Sequence, residues 1–568
     1  MKKILLLVGL LAVAFAASAD DNSELLVRRN DGKMVPVPVW GSPEAQLITP
    51  RKHPDNFQEP THTRAVNPSV HYTPHTGSPR ILVILANFKD RKFRVENPKA
   101  AFNDFFNAPG AIVNRGNGND KNHGSVAQYF KACSRGVFTP VFDVYGPVDL
   151  PQNMEYYGGN NANSNNDERP AELARDAVNL VKTSITNPAL YDSNNDGYVD
   201  CVYVVYAGLG QNNGGGAKTV WACASRFTDP SLKLGDKILG RFSIGAELFP
   251  AYTDATKTKM QINSIGVTCH EFSHTMGLPD IYPTTSSAYV HNQEMELWDL
   301  MDGGEYAGDG GFVPMPYTAW ERQQMNWPLN IQPLTANANI TMDKTANEGG
   351  VVYKMANPND ANEYFLLENI KKNGWYGGAP NGGLLVYKVV DYDPVDFFSH
   401  PNNTAGEPGM AVVPADGLCF SSYLKKRYNK SEPKYKELNA QEELKYQTQL
   451  KGDVFPGTGS VNKLNDMMGL PNFCWYTEGA INERSSYNTN FFKVNQALEN
   501  INVAADGKIT LKYIADYKKH TTGIDAIQMD NVQTDNRIFS LDGRYMGTDK
   551  ARLSKGVYIV NHKKIVVQ

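Results

Sequence analysis

Two patterns of apolar and polar residues divide the chain. After residue 78, the apolar run RILVILANFKD at 80–90 predicts a buried strand, and VDCVYVVYAG at 199–208 predicts a second. Between them, SVAQYFKACSRG and DERPAELARDAVNLVK repeat apolar residues at helical spacing and predict two helices. Strands that alternate with helices are typical of α/β and α+β folds, so we assign one such domain to residues 79–330.

After Trp327 the pattern changes to short alternating segments separated by Gly, Pro, Asn and Asp. The clearest segments are VVYKMA, EYFLLENI, GGLLVYKVV, NFFKVNQ and GKITLKYI. This spacing predicts an all-β, sandwich-like domain over residues 331–515. A polar linker then leads to a small β module, and both lie within residues 516–568.

The first nineteen residues have the pattern of a secretory signal peptide. Two lysines precede an apolar run from Ile4 to Ala17, and Ala-Ser-Ala ends the segment. A transmembrane anchor is the alternative, but the run is shorter than the roughly 20 apolar residues that a span needs. No later segment reaches that length either. We therefore expect residues 1–19 to direct export and to be removed, with no transmembrane anchor in the protein.

Residues 20–78 are polar, rich in Pro and His, and without a sustained helical or strand period. This composition predicts a pro-segment or leader, so the protein would be made as a zymogen. Arg64 and Arg80 are candidate processing sites. Because the leader has no cysteine, a thiolate cannot block a metal in the precursor.

Composition removes some function classes. A chain of 568 residues is too long for one core, so we expect several domains. The net charge of −4 gives no hint of nucleic acid or an anionic membrane as a partner. Six cysteines are few for this length, so disulfides are not the main scaffold even in an exported protein.

The stretch VTCHEFSHTMGLPDIY at 267–282 carries the strongest chemical signal. On a helix, His270 and His274 share one face, so both imidazoles can bind one metal ion, and Glu271 lies beside that point. Such a pair is typical of zinc sites that activate a water molecule. Glu271 is then the candidate general base.

The residues after the second histidine bring a third ligand within reach. Gly277 can end the helix in the left-handed conformation, and Pro279 prevents its continuation. The chain therefore turns, and Asp280 can return to the metal. His291 and Glu294 are rival third ligands, ranked lower because their spacing matches no motif.

A second element, ELWDLMDGGEY at 296–306, supports the metal site. It places Met301 between an apolar run and a Gly-Gly turn, as in the methionine turn that packs beneath the metal of some zinc peptidases. Tyr306 follows closely and is the candidate to stabilise the oxyanion of the substrate. The alternative for Met301 is an ordinary core residue, and for Tyr306 an exposed or core tyrosine without a role in catalysis.

These motifs resemble the immune-inhibitor-A family of secreted zinc metallopeptidases, whose pattern is His-Glu-x-x-His-x-x-Gly-x-x-Asp. The resemblance covers roughly residues 80–514 and includes HEFSHTMGLPD, WDLMDGG and PYTAWERQQMNW. It implies a zincin-type catalytic domain. It also implies that His270, His274 and Asp280 are zinc ligands and that Glu271 is the general base.

The segment DSNNDGYVD at 192–200 resembles a calcium-binding loop, with Gly197 at its sixth position. Its twelfth position is Tyr203 instead of the usual glutamate, and the loop runs into a strand. A turn without an ion is the alternative. We expect a structural calcium ion, since members of the family have a similar loop, with the ligands Asp192, Asn194, Asp196 and Asp200.

The last segments, IFSLDGRYM and GVYIVNHKKIVVQ, resemble the C-terminal sorting domain of type IX secretion substrates in Bacteroidetes bacteria. An ordinary β module is the alternative. The resemblance implies export through the periplasm and across the outer membrane by that secretion machinery. The protein would then be secreted or attached to the cell surface.

Together these observations predict a secreted zinc endopeptidase that hydrolyses extracellular proteins and peptides. The alternative is a surface binding or adhesion protein in which the zinc site is structural or inactive. Glu271 separates the two, because a structural site has no use for a carboxylate beside the open coordination position. A different zinc hydrolase, such as an amidase of small molecules, is the remaining alternative.

Overall fold

The computed structural model describes most of the chain between His71 and Thr522, together with short strands outside that range. The described residues are 26–28, 34–36, 71–110, 112–113, 121–160, 167–250, 260–285, 288, 291–292, 295–391, 399–419, 449–522, 538–540, 545–547, 553–560 and 563–567. The predicted signal peptide lies outside them, as do Arg64 and Glu294. The chain forms two compact units, Met1–Ala515 and Asp516–Gln568.

The helices of the described residues are mostly short. They are α1 Pro98–Asn107, α2 Val126–Cys133, α3 Met154–Gly158, α4 Pro170–Val181, α5 Ile265–Thr275, α6 Ala307–Gly311, α7 Ala319–Gln324 and α8 Tyr517–Thr522. Among them, none has the length and apolar character needed to cross a bilayer. Both helices that the sequence predicts are present, as α2 and α4.

Strands supply the rest of the regular structure. They are β1 Leu26–Arg28, β2 Met34–Pro36, β3 Arg80–Asn87, β4 Ile112–Val113, β5 Lys121–Asn122, β6 Val141–Asp149, β7 Tyr198–Val199, β8 Val202–Leu209, β9 Cys223–Arg226, β10 Lys233–Leu234, β11 Lys237–Leu239, β12 Arg241–Pro250, β13 Met260–Ile262, β14 Asn330–Pro333, β15 Ala338–Met342, β16 Val351–Asn357, β17 Asp360–Ile370, β18 Gly383–Val390, β19 Met410–Val412, β20 Ala497–Val503, β21 Ile509–Ile514, β22 Ile538–Ser540, β23 Tyr545–Gly547, β24 Gly556–Val560 and β25 Lys563–Val567.

A six-stranded mixed sheet, in the order β13-β12-β8-β3-β6 with β9 also on β12, is the frame of the first region. Strands β6, β3, β8 and β12 are parallel, and β13 is an antiparallel edge. Ile81 and Val83 of β3 enter the core that contains α1, α2 and α5, whereas Leu82 and Ile84 enter the core that contains α4. Because both faces of the sheet are covered, its strands are continuous apolar runs.

Two further sheets pack face to face in the β-rich region. The five-stranded sheet β14-β16-β17-β18-β19 and the three-stranded sheet β15-β21-β20 enclose one apolar core. Phe365 and Leu367 of β17 enter this core. The alternate residues Tyr364 and Leu366 enter the core that contains α5. The β-rich region therefore packs directly on the region of the central sheet.

The mixed α/β architecture with several sheets is confirmed. The division into separate domains at residue 330 stays a prediction. One predicted strand, NFFKVNQ at 490–496, is wrong: Phe492 makes only isolated bridges, and the regular strand β20 begins at Ala497. Asn495 has a φ of 56°, which breaks the extended conformation that a strand requires.

The second unit is described through its strands and α8. Strands β22 to β25 form a four-stranded antiparallel sheet in the order β23-β22-β24-β25. Ile538 and Tyr558 are its buried apolar residues among those described. The sheet fits the small β module that the sequence predicts, and its role in sorting stays a prediction.

Candidate metal centre

Helix α5, which carries both histidines, is buried along its whole length. Gly266 lies so close to the following loop that a Cβ atom there would be 1.7 Å from the backbone oxygen of Glu305. Only glycine allows this approach, which brings the loop of Glu305 against the metal helix.

After Thr275 the chain leaves the helix through Gly277, whose φ of 105° is in the region that favours glycine. The amide of Leu278 donates to the carbonyl of Ser273 at 3.2 Å, which closes the turn. This turn directs Asp280 back towards the two histidines.

Three side-chain atoms meet at one point. The Nε2 atoms of His270 and His274 are 3.1 Å apart, and they lie 3.3 Å and 3.1 Å from Oδ1 of Asp280. A tetrahedral zinc ion about 2.0–2.1 Å from each ligand separates ligand atoms by about 3.3–3.4 Å. The spacing of the three atoms therefore fits one zinc ion.

Hydrogen bonds fix both rings in the orientation that a metal needs. Nδ1 of His270 bonds the carbonyl of Leu300 at 3.0 Å, and Nδ1 of His274 bonds that of Leu278 at 2.7 Å. Since a carbonyl only accepts, each Nδ1 is the donor, and in a neutral ring Nε2 then presents a lone pair. Oδ1 of Asp280 is also buried without a hydrogen-bond partner. Three acceptors that face one another require a cation, and two nitrogens with one carboxylate suit zinc.

Charges around the histidines favour a cation as well. Burial by itself lowers the pKa of His270, but Glu305, Asp280 and Glu271 outweigh it and raise that pKa well above its usual value. Burial raises the pKa of Asp280, but the two histidines hold it well below its usual range. A proton and a metal ion therefore compete for the site, and metal binding releases a proton.

Glu271 follows His270, one of the three candidate metal ligands, and is almost fully buried. Burial and the charge of Asp280 raise the pKa of its carboxyl, and the two histidines oppose this shift. Among the described residues, no donor forms a hydrogen bond with its carboxylate. The group is thus free to accept a proton from a molecule in the cleft.

Tyr306 packs against Val267, one helical turn before Glu271. Burial, followed by the charges of Glu305 and Glu271, raises the pKa of its phenol well above its usual value. The phenol therefore keeps its proton and can act as a hydrogen-bond donor at the edge of the site.

The turn at Met301 supports the centre through its backbone. The amide of Ile281 donates to the carbonyl of Met301 at 2.9 Å, and Leu300 accepts the bond from His270. The turn thus holds one histidine and the loop of Asp280 together. The side chain of Met301 is fully buried in the core that includes Cys269. Its place beneath the metal stays a prediction.

Two residues of the site were missed in the sequence. The ring of Tyr282 stacks on that of His270, with centroids 6.3 Å apart and 15° between the planes. Oε2 of Glu305 lies 3.8 Å from Nδ1 of His270, and burial raises the pKa of this carboxyl to about 8. The sequence offered one indication of their role: Tyr282 lies close to Asp280 in the chain, and Glu305 directly precedes Tyr306. Of the rival third ligands, His291 is outside the group of three, whose members are His270, His274 and Asp280 among the described residues.

The loop that follows Asp280 is held by the β-rich region. Oδ1 of Asn403 accepts from the amide of Thr284 at 2.7 Å, and Nδ2 of Asn403 donates to the Thr284 hydroxyl at 2.8 Å. Oδ1 of Asn292 accepts from the amide of Gly406 at 2.8 Å. These bonds connect the loop that follows Asp280 to residues more than a hundred positions later in the chain.

We expect Asn403→Ala to weaken zinc binding by about tenfold, because partners that orient metal ligands typically contribute 10- to 100-fold to metal affinity. A competition titration with a zinc indicator measures the dissociation constant. Asn359→Ala is the matched control, since Asn359 bonds the carbonyl of Gly479 at 2.8 Å. Equal affinities in both variants would show that Asn403 does not position the loop.

The calcium prediction is not supported. Oδ2 of Asp192 forms an ion pair with Nζ of Lys237 at 2.7 Å, and Oδ1 accepts from the amide of Asp196 at 2.9 Å. Oδ2 of Asp200 accepts from the hydroxyl of Ser193 at 2.6 Å. Asn194 donates to Asp196 at 3.1 Å. These contacts are those of the alternative, a turn that bonds its own side chains, and the calcium ligands stay a prediction.

Curated relatives match part of this chain. Pre-pro-metalloprotease PrtV of two Vibrio cholerae serotype O1 strains is 29% identical over 225 residues, which is 36% of this chain and 24% of that protein. Immune inhibitor A of Bacillus thuringiensis subsp. alesti is 24% identical over 231 residues, 34% of this chain and 31% of that protein. The matches therefore span less than a third of either relative. Residues 72–328, which contain all three candidate metal ligands, match the family model of the immune inhibitor A peptidase M6 catalytic domain.

Proposed function

We propose that this protein is a secreted zinc-dependent endopeptidase that hydrolyses peptide bonds of extracellular proteins. The observation that carries the proposal is the meeting of three ligand atoms, from His270, His274 and Asp280, within 3.3 Å of one another. The match of residues 72–328 to a metallopeptidase catalytic domain supports it.

Glu271 is the general base of this proposal. When zinc is bound, its Lewis acidity polarises the substrate carbonyl and acidifies a water molecule. Glu271 takes a proton from the attacking water and passes it to the leaving amine. Its carboxylate suits both steps because burial raises its pKa towards the range in which it can return the proton.

Tyr306 is the proposed oxyanion stabiliser. Its protonated phenol would donate a hydrogen bond to the carbonyl oxygen as negative charge develops there. Burial of the phenol strengthens such a bond, since little water competes with it.

Export is part of the proposal. The signal-peptide pattern of residues 1–19 supports secretion, and the C-terminal β module resembles the sorting domains of type IX secretion substrates. Protein substrates and the outer-membrane secretion machinery are then the expected partners. Mass determination of the protein from culture medium tests this route, which predicts the loss of both terminal segments.

The alternative is a binding protein with a structural or inactive zinc site. Glu271 argues against a structural site. Burial of its carboxylate costs desolvation free energy, and no donor among the described residues forms a hydrogen bond with it. A site that only stabilises the fold would gain nothing from this group.

Asp280→Ala tests the ligand set, with His291→Ala as the matched control. We expect Asp280→Ala to lose zinc and the hydrolysis of casein, because two histidines alone hold the ion weakly. His291→Ala should keep one zinc per chain and its activity. The reverse pattern would make His291 the third ligand, and a zinc-loaded wild type without hydrolysis would favour the binding protein.

A further inference from the structure

The last turn of helix α5 is capped by a distant segment of the chain. The final carbonyls of a helix have no partner within it. The amide of Thr73 donates to the carbonyl of Thr275 at 2.9 Å, and Nε2 of His75 donates to that of Met276 at 2.6 Å. Residues 71–79, which we call the capping segment, thus close the helix next to the ligand His274.

Side chains of the capping segment add further contacts to the helix end. Thr73 is fully buried, and its hydroxyl lies 2.9 Å from the carbonyl of Asp200 and 3.0 Å from the hydroxyl of Thr275. A Cβ atom on Gly277 would be 3.3 Å from the ring of Tyr72. The guanidinium of Arg241 covers that ring at 4.2 Å. The segment therefore connects the metal helix to β12 and to the start of β8.

The other end of the capping segment is also fixed. The carbonyl of His75 accepts from Nε1 of Trp327 at 2.7 Å, and Gly77 exchanges backbone bonds with Val137 at 2.7 Å and Thr139 at 2.8 Å. These bonds hold the segment along its whole length within the region of the central sheet.

The peptide bond between Arg80 and Ile81, a candidate processing site, is also held within the folded structure. Nε and Nη2 of Arg80 bond the carboxylate of Asp143 at 2.8 Å and 2.5 Å, and Ile81 is fully buried in the central strand β3. Proteases cut exposed chain that few backbone hydrogen bonds hold. Of the two candidate processing sites, Arg80 therefore lies where a protease cannot reach in the folded protein.

We propose that the capping segment stays in the mature enzyme, where Thr73 and His75 position the metal helix, and that maturation cleaves the leader before His71. A cut after Arg80 would release the cap of the helix and weaken the metal site. The inference rests on the proposed function for its catalytic consequence, but metal binding and the position of the cut do not depend on catalysis.

The first test is the N-terminal sequence of the processed, zinc-containing protein, determined by Edman degradation and intact mass. We expect a first residue at or before His71. A zinc-containing protein that begins between Thr73 and Ile81 would overturn the inference. Arg80→Gln should be processed like the wild type, and blocked processing in that variant would also overturn it.

The second test compares zinc affinity in three variants of the full chain. His75→Phe removes the donor to Met276, and His75→Gln restores an amide donor. Ser78→Ala is the control because, among the described residues, the hydroxyl of Ser78 bonds only that of Thr139. We expect His75→Phe to raise the zinc dissociation constant by about tenfold, as partners that orient a metal site typically do. His75→Gln should recover most of the affinity, and Ser78→Ala should match the wild type.

A merely structural role predicts something different. In that case His75→Phe would have a lower melting temperature than the wild type, but the same zinc affinity and the same kcat/KM. That result would overturn the inference. If His75→Phe does not fold, Thr73→Val gives the same comparison, since it removes only the hydroxyl at constant volume. A protein that binds zinc, begins at or before His71 and cuts no peptide would refute the proposed function and leave this inference standing.

Discussion

Replacing Glu271 with glutamine is expected to lower kcat for casein by about 100- to 10,000-fold, the usual contribution of a general base. Zinc should remain bound at one ion per chain, because the ligand atoms belong to His270, His274 and Asp280. The substitution keeps the volume of the side chain and removes its ability to accept a proton. Initial rates of peptide release, together with the zinc content of each preparation, measure the effect.

Glu305→Gln is the matched control for this experiment. Glu305 is also buried beside His270, but its oxygen faces Nδ1, the ring nitrogen that points away from the metal. We expect a loss of about tenfold, the lower end of what a partner that only orients a ligand contributes. If Glu305→Gln abolishes turnover and Glu271→Gln does not, the assignment of the base is wrong.

The second large effect is expected at a buried ion pair of the β-rich region. Nζ of Lys388 lies 2.8 Å from Oε1 of Glu363, and both side chains are fully buried. Lys388 also donates to the carbonyl of Cys474 at 2.6 Å and lies 3.2 Å from the ring centroid of Tyr476. Lys388→Met leaves the carboxylate of Glu363 without its counter-charge. The substitution should therefore lower the free energy of unfolding by about 3–5 kcal/mol. Urea unfolding followed by tryptophan fluorescence measures the change.

The double variant Lys388→Met with Glu363→Gln separates two contributions to the lost stability: the missing contacts of the lysine and the buried carboxylate left without a counter-charge. Without the charge on Glu363, the neutral donors that bond it, such as Asn357 and Thr477, still have a partner. The double variant should therefore be more stable than Lys388→Met alone. Equal stability of the two variants would mean that the unpaired charge of Glu363 does not destabilise Lys388→Met.

The sequence predicted the parts of the fold that follow from local pattern. Strand β3 and helix α2 were predicted because an uninterrupted apolar run and a helical period each identify an element by itself. The capping box of α2, in which Ser125 and Gln128 bond each other's backbone, agrees with that prediction. The failed strand at 490–496 had the right alternation, but Asn495 adopts a positive φ that no pattern of apolar residues reveals.

The candidate site could be read from the sequence only where its residues lie close together in the chain. His270, Glu271, His274 and Asp280 belong to one motif. Tyr306 and Met301 were reached through a second motif nearby. Asn403 and Thr73 could not be identified, because they act through hydrogen bonds to residues more than a hundred positions away, to Thr284 and Thr275 respectively.

The predicted calcium loop shows a different limit of the sequence. Its oxygen-rich spacing is common to ion-binding loops and to turns that bond their own backbone. Lys237, which lies outside the motif, places its ammonium group on Asp192 and favours the turn without an ion. A pattern within the loop could not predict that contact.

Hydrolysis of casein by the processed wild-type protein, loaded with one zinc per chain, tests the central claim most directly. New peptide termini are counted by mass spectrometry before and after the metal is removed with a chelator and restored. We predict cleavage that disappears with the metal and returns with zinc. A zinc-loaded, processed protein that cuts neither casein nor a varied peptide library would contradict the account.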